Sequence, residues 1–75
     1  MTRKEGCQTI EVTVNGEPRS VPDDLTVEGL LHWLEIEPGR VAVELNRAIV
    51  RQGDWTTTKV EADAQIEIVQ FVGGG

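Results

Sequence analysis

The residues best suited to chemistry in this 75-residue chain stand at its end, Phe71-Val72-Gly73-Gly74-Gly75. Glycine has no Cβ, so such a stretch can enter a narrow channel and take dihedrals closed to other residues. Extended, three residues reach roughly 10 Å, enough to carry a terminal carboxyl from a folded body into another protein's pocket. A free α-carboxyl has a pKa of about 3.3–3.7, so at neutral pH it is an anion and a poor acyl electrophile. Acyl chemistry there requires activation, most simply adenylation with ATP, and the rest of the chain offers no residue set for that step. A small body bearing a Gly-Gly carboxyl reads as a carrier or a modifier on which a separate enzyme acts. A frayed end is the plain alternative; it accounts for looseness and not for the run of glycines.

The other candidates are isolated. Cys7 is the single cysteine and His32 the single histidine. One cysteine excludes an internal disulfide, and the ligands for a zinc or iron–sulfur site are missing, so no metal is expected. His32 sits in a helical pattern without a nucleophile beside it and is expected to face solvent. Glu28 and Glu35 are spaced to share a helix face, but two solvated acids fit that spacing better than an acid–base pair. Net charge is −6, and residues 1–8 carry Arg3, Lys4 and Glu5, so the body without them is more acidic still. Phosphate backbones would repel it, whereas a basic protein surface would attract it. No apolar run resembles a secretory leader or a membrane span, which predicts a cytoplasmic protein.

The elements that must position the end follow from periodicity. Residues 1–8 are patternless and read as a disordered lead-in. Ile10, Val12 and Val14 alternate with polar residues as in a half-buried strand. Asn15-Gly16 is a hairpin signal, and the return strand, 17–21, is confined to an edge by Pro18. Pro22-Asp23-Asp24 is a loop. Thr26 is a helix N-cap, with Leu25 and Leu30 placed as a hydrophobic staple. Val27, Leu30, Leu31 and Leu34 form one apolar stripe of a helix over 26–35, closed by Pro38-Gly39. Gly29 within it predicts a close approach of the helix backbone to a sheet. Val41, Val43 and Leu45 mark a third strand, Asn46-Arg47 a turn, and Ala48-Ile49-Val50 a short fourth strand. Trp55 is the anchor of an irregular stretch over 51–58. The last strand, 66–72, is apolar on both faces and is expected at the centre of its sheet.

Strand, strand, helix, strand, short strand, strand describes an α+β fold. The fold expected from that order is a β-grasp, or ubiquitin-like, roll with a mixed sheet of four to five strands and one main helix. The expected organisation is a lead-in over 1–8, one domain over 9–72 and a flexible tail over 73–75.

Several stretches carry a resemblance: Val14-Asn15-Gly16, Leu25-Thr26-Val27-Glu28-Gly29-Leu30-Leu31, Val41-Ala42-Val43-Glu44-Leu45-Asn46, Ile49-Val50 with Trp55 downstream, and Ile66-Glu67-Ile68-Val69 leading to Gly73-Gly74-Gly75. From Ile10 onward the chain resembles the ThiS family of sulfur carriers in thiamin biosynthesis. It departs from that family at Arg51, where proline is frequent, and at Asp63-Ala64, where Gly-Asp is frequent. The resemblance implies a non-catalytic carrier with no cofactor bound, ATP being used by the adenylating enzyme. Gly75 would carry the acyl-adenylate and then the thiocarboxylate. Gly73 and Gly74 would thread the tail, and Phe71 and Val72 would dock against partners. Those partners would be the adenylating enzyme, a thiazole synthase and a cysteine desulfurase relay. Two relatives of this chemistry remain open at this level: a small subunit like that of molybdopterin synthase, and a ubiquitin-like modifier joined to lysine.

Overall fold

Alternation of side chains makes Thr9–Val14 the first strand, β1, with Val12 and Val14 buried. At Asn15 and Gly16 the backbone turns through φ values of 52° and 83°, the two positive angles that a tight hairpin requires. The chain returns antiparallel as β2, Glu17–Pro22, one residue longer than the sequence predicts. Pro18 stands opposite Thr13, which gives its own N–H to the Ala64 carbonyl at 2.9 Å. The missing proline N–H therefore costs no ladder bond at this edge. The computed structural model describes residues 8–71. Readings that fall on residues 1–7 and 72–75, including Cys7, Val72 and the three glycines, lie outside the described residues.

Helix α1 is Val27–Trp33, seven residues. Its start is fully supplied with acceptors. The Gly29 N–H donates to Thr26 Oγ1 at 3.1 Å, as expected of the N-cap. Val27 N–H donates to the Thr58 carbonyl and Glu28 N–H to the Trp55 carbonyl, at 2.9 and 3.1 Å. These are donors that a helix cannot satisfy internally, and here a segment some thirty positions downstream accepts them. Val27, Leu30 and Leu31 are buried. An added Cβ on Gly29 would meet Leu25 Cδ2 at 3.3 Å, so Leu25 and not the sheet fills the space beside this glycine.

The helix ends earlier than the predicted 26–35. Glu35 has φ 62°, its N–H donates to the His32 carbonyl at 3.0 Å, and Ile36 N–H donates to the Leu31 carbonyl at 2.9 Å. These two bonds are those of a Schellman cap, with glutamate where glycine is usual. The reversal brings Ile36 back against the core. Pro38–Arg40 then forms a short 3₁₀ turn into the next strand.

Strands β3, Val41–Leu45, and β4, Ala48–Val50, form a second hairpin. Its turn residues Asn46 and Arg47 both take positive φ, 52° and 72°. A 3₁₀ turn at Gln52–Asp54 leads to Trp55, which is 3% exposed. Its indole N–H donates to the Val50 carbonyl at 2.9 Å, so Trp55 clamps the loop onto the core. Lys59 pairs with Asp24 across exposed surface. The hydrogen bond from Lys59 holds the Asp24 carboxyl below its ordinary pKa, and the same bond raises the Lys59 ammonium.

The last strand, β5, is Gln65–Gln70, shorter than the predicted 66–72. It lies at the centre of the five-stranded sheet β2-β1-β5-β3-β4, parallel to β1 and antiparallel to β3. Its central place agrees with the apolar pattern. Ile66 and Ile68 are buried, but Val69 on the opposite face is 56% exposed. Helix α1 covers one face of the sheet only.

Removing most of a buried side chain from the helix stripe leaves a cavity, so Leu30→Ala is expected to cost about 2–5 kcal/mol in chemical unfolding. Glu35→Gly is expected to raise stability by about 0.5–1 kcal/mol, because glycine takes the positive φ without the Cβ clash. An unchanged or lower unfolding temperature would contradict the strain assigned to that cap.

Candidate functional site

The site begins where β5 leaves the sheet. Gln70 is paired with Val41, and Phe71 N–H donates to the Arg40 carbonyl at 2.8 Å. Phe71 is thus the last residue with a described fastening, four positions before Gly75. Its side chain is 58% exposed. Of the predicted site residues, Phe71 lies within the described structure, while Val72, Gly73, Gly74 and Gly75 lie outside it.

The sheet register shows what surrounds this exit. Val69 is opposite Ala42, and Glu67 is opposite Glu44, which in turn faces Ile49 on β4. Cross-strand partners share a face, so these five residues stand together on the face away from α1. Ile49 is 73% exposed. The face therefore mixes apolar side chains with two carboxylates set directly across from one another. Such an opposition of like charges is unfavourable within the chain itself, and a cation on a second molecule would relieve it.

β5 is held from both sides by asparagines. Asn46 Oδ1 accepts from Gln65 N–H at 2.9 Å, and Asn46 N–H donates to the Gln65 carbonyl at 2.7 Å. Asn15 Oδ1 accepts from Ile68 N–H at 2.7 Å, while its Nδ2 donates to the Ile68 carbonyl at 3.2 Å. Sequence reasoning took both asparagines as turn residues only. No local pattern signals this second role, because the partner lies 53 positions away for Asn15 and 19 for Asn46.

The remaining candidates gather elsewhere. Glu28, His32 and Glu35 line an open cleft of about 510 Å³ together with Leu31, Ile36, Glu37 and Pro38. His32 is exposed, as expected, but Glu35 stands past the helix end rather than on its face. Among the described residues no three metal-ligating side chains are grouped, and no helix is long and apolar enough to cross a membrane.

The sequence profile of the ThiS family matches residues 12–75. The chain belongs to the ThiS family. A solved structure of the thiamine biosynthesis protein ThiS from Geobacter metallireducens matches it with a TM-score of 0.78 at 33% identity, covering 88% of this chain and 100% of that one. The fold is thus the β-grasp of ThiS structures. The thiazole synthase of Magnetococcus marinus is 42% identical over 66 residues, which are 88% of this chain and 20% of that protein. The thiazole synthase of Paramagnetospirillum magneticum is 38% identical over the same length and coverage. The chain therefore spans 20% of the length of each of these two thiazole synthases. In this ThiS-family chain Arg51 and Asp63, two of the positions at which it departs from the family pattern, are exposed loop residues.

Removing one charge of the opposed pair is expected to stabilise the fold. Glu67→Gln should gain about 0.2–1 kcal/mol in thermal unfolding at low salt, a gain that shrinks as salt screens the carboxylates. Loss of stability in Glu67→Gln would mean that the pair is not repulsive.

Proposed function

We propose that the chain is a sulfur carrier of thiamin biosynthesis that works through the carboxyl of Gly75 and performs no catalysis itself. An adenylating enzyme joins this carboxylate to AMP from ATP and releases pyrophosphate. A persulfide from the sulfur relay then displaces AMP to give an acyl disulfide, and a thiol breaks its S–S bond, forming a disulfide with the relay cysteine and releasing the thiocarboxylate. The sulfur originates from cysteine through a desulfurase relay and passes from Gly75 to a thiazole synthase. The observation that carries this reading is that the family match extends through the glycines to Gly75.

The physical layout supports it. Adenylation and sulfur transfer occur in different active sites, so the terminus must enter two partners in turn. Glycines at 73 and 74 suit that threading, since a side chain there would widen the tail. Phe71, Val72 and the outward face bearing Val69, Ala42 and Ile49 form the docking surface. Docking must be reversible for turnover, which fits a small interface mixed with charge. The carboxylates Glu44 and Glu67 favour partners with a basic rim and speed encounter. Two relatives named thiazole synthase contain a segment like this chain, which supports a thiazole synthase as the sulfur acceptor.

The test is fragment mass spectrometry of the chain with an untagged C-terminus, after incubation with ATP, a candidate adenylating enzyme and a sulfur source. The expected result is one oxygen replaced by sulfur at Gly75, and no replacement in a chain lacking Gly74 and Gly75. Fragmentation distinguishes this change from oxidation at Met1 or Cys7. Gly75 found instead in amide linkage to lysine side chains would make the chain a modifier.

A further inference from the structure

We propose that Asn15 is a positioning residue for the carrier reaction: its carboxamide, bonded to both polar backbone atoms of Ile68, sets the line along which β5 leaves the sheet. The role in the reaction rests on the carrier reading of Gly75.

The topology creates a gap that only this side chain fills. β1 pairs with β5 over Thr13–Gln65 and Val14–Ile66. Thr13 N–H donates to the Ala64 carbonyl, and Asn15 N–H donates to the Ile66 carbonyl at 2.8 Å. The next step of a parallel ladder would bring backbone groups to Ile68. At Asn15, however, the chain enters the hairpin and turns away into β2. The Asn15 side chain takes over, with Oδ1 receiving the Ile68 N–H at 2.7 Å and Nδ2 reaching the Ile68 carbonyl at 3.2 Å. A carboxamide carries the same acceptor and donor as a peptide group, so the ladder is extended by one rung without any backbone.

Beyond that rung no strand lies on the β1 side of β5 among the described residues. The stretch from Ile68 to Phe71 is otherwise held from the β3 side alone, through the Val41–Gln70 pairing and the bond to Arg40. A ribbon paired on one side twists more freely than the interior of a sheet. Removing the carboxamide would spread the direction in which Phe71 and the following residues depart. The outward face bearing Val69, Ala42 and Ile49 is carried by the β3–β4 hairpin and β5 as paired strands and survives the change, so most of the docking surface is kept and only its part at Phe71 and beyond is loosened. The greater cost falls after docking, when the terminus must find the adenylation site.

This separates positioning from mere stability. Asn15→Gly suits the test, because glycine accepts the 52° φ at this position and only the carboxamide is lost. Asn15→Asp, which keeps the oxygen and loses the N–H, serves if the glycine variant does not fold. With the adenylating enzyme and saturating carrier, kcat is expected to fall about three- to tenfold, the loss expected for about one net hydrogen bond, and by a larger factor than KM for the carrier rises. A purely structural role would leave kcat intact and raise the apparent KM, since unfolded chains only dilute the carrier. Amide exchange gives a readout free of activity: the Ile68 and Phe71 N–H groups should exchange at least tenfold faster in the variant relative to Leu30. Unchanged kcat, or exchange at Ile68 that follows Leu30, would overturn the proposal. A wild-type chain that is never adenylated overturns the carrier reading and the reaction role with it, while exchange at Ile68 still decides the fastening.

Discussion

A strand at the centre of a sheet must find partners along both of its edges, here the one toward β1 and the one toward β3. β5 meets this demand by drawing its partners from elements that turn away at different points. β1 turns away at Asn15 and β3 begins only after Arg40. The carboxamides of Asn15 and Asn46 cover the positions where backbone pairing stops. Free donors and acceptors inside a sheet are costly, so these two side chains let tight two-residue hairpins flank a strand that is offset from them. The rest of the fold depends on this arrangement, because among the described residues β1 and β3 are each hydrogen-bonded to β5 and not to one another.

The two faces of the sheet divide the labour. Toward α1, Val12, Val14, Ile66, Ile68, Val41 and Val43 join Leu30 and Leu31 in a core without a buried polar residue among those described. The opposite face leaves Val69 and Ile49 uncovered and sets Glu44 against Glu67. An outer sheet face built for stability alone would not place like charges across a ladder. The unfavourable features collect around the strand that ends at the exit, where a partner would offset them.

Much of this was readable from residue order. Alternation at Ile10, Val12 and Val14, the Asn15-Gly16 pair and the stripe Val27, Leu30, Leu31 and Leu34 report on local geometry, which depends on neighbours in the chain. The two-faced apolar pattern of the last strand located it at the sheet centre. The helix end was misjudged because Glu35 bears no sign of a left-handed residue; the reversal packs Ile36, partly buried, against the core, a tertiary contact that residue order does not show. Gly29 was assigned to a sheet contact when its neighbour is Leu25, because chain spacing does not say which side a half-buried residue leans to. The reach of Asn15 across to Ile68 spans the whole domain, and no local pattern encodes it.

The order in which these strands are made differs from the order in which they lie. β1, β2, α1, β3 and β4 all leave the ribosome before β5, but the sheet they belong to is split in two until β5 arrives between them. Helix α1, only seven residues long, also waits, since the carbonyls of Trp55 and Thr58 that accept its first N–H groups are synthesised later. Short helices are marginal alone, and distant contacts delay closure. The pairings that join the two hairpins into one sheet therefore have to wait for β5, the strand made last.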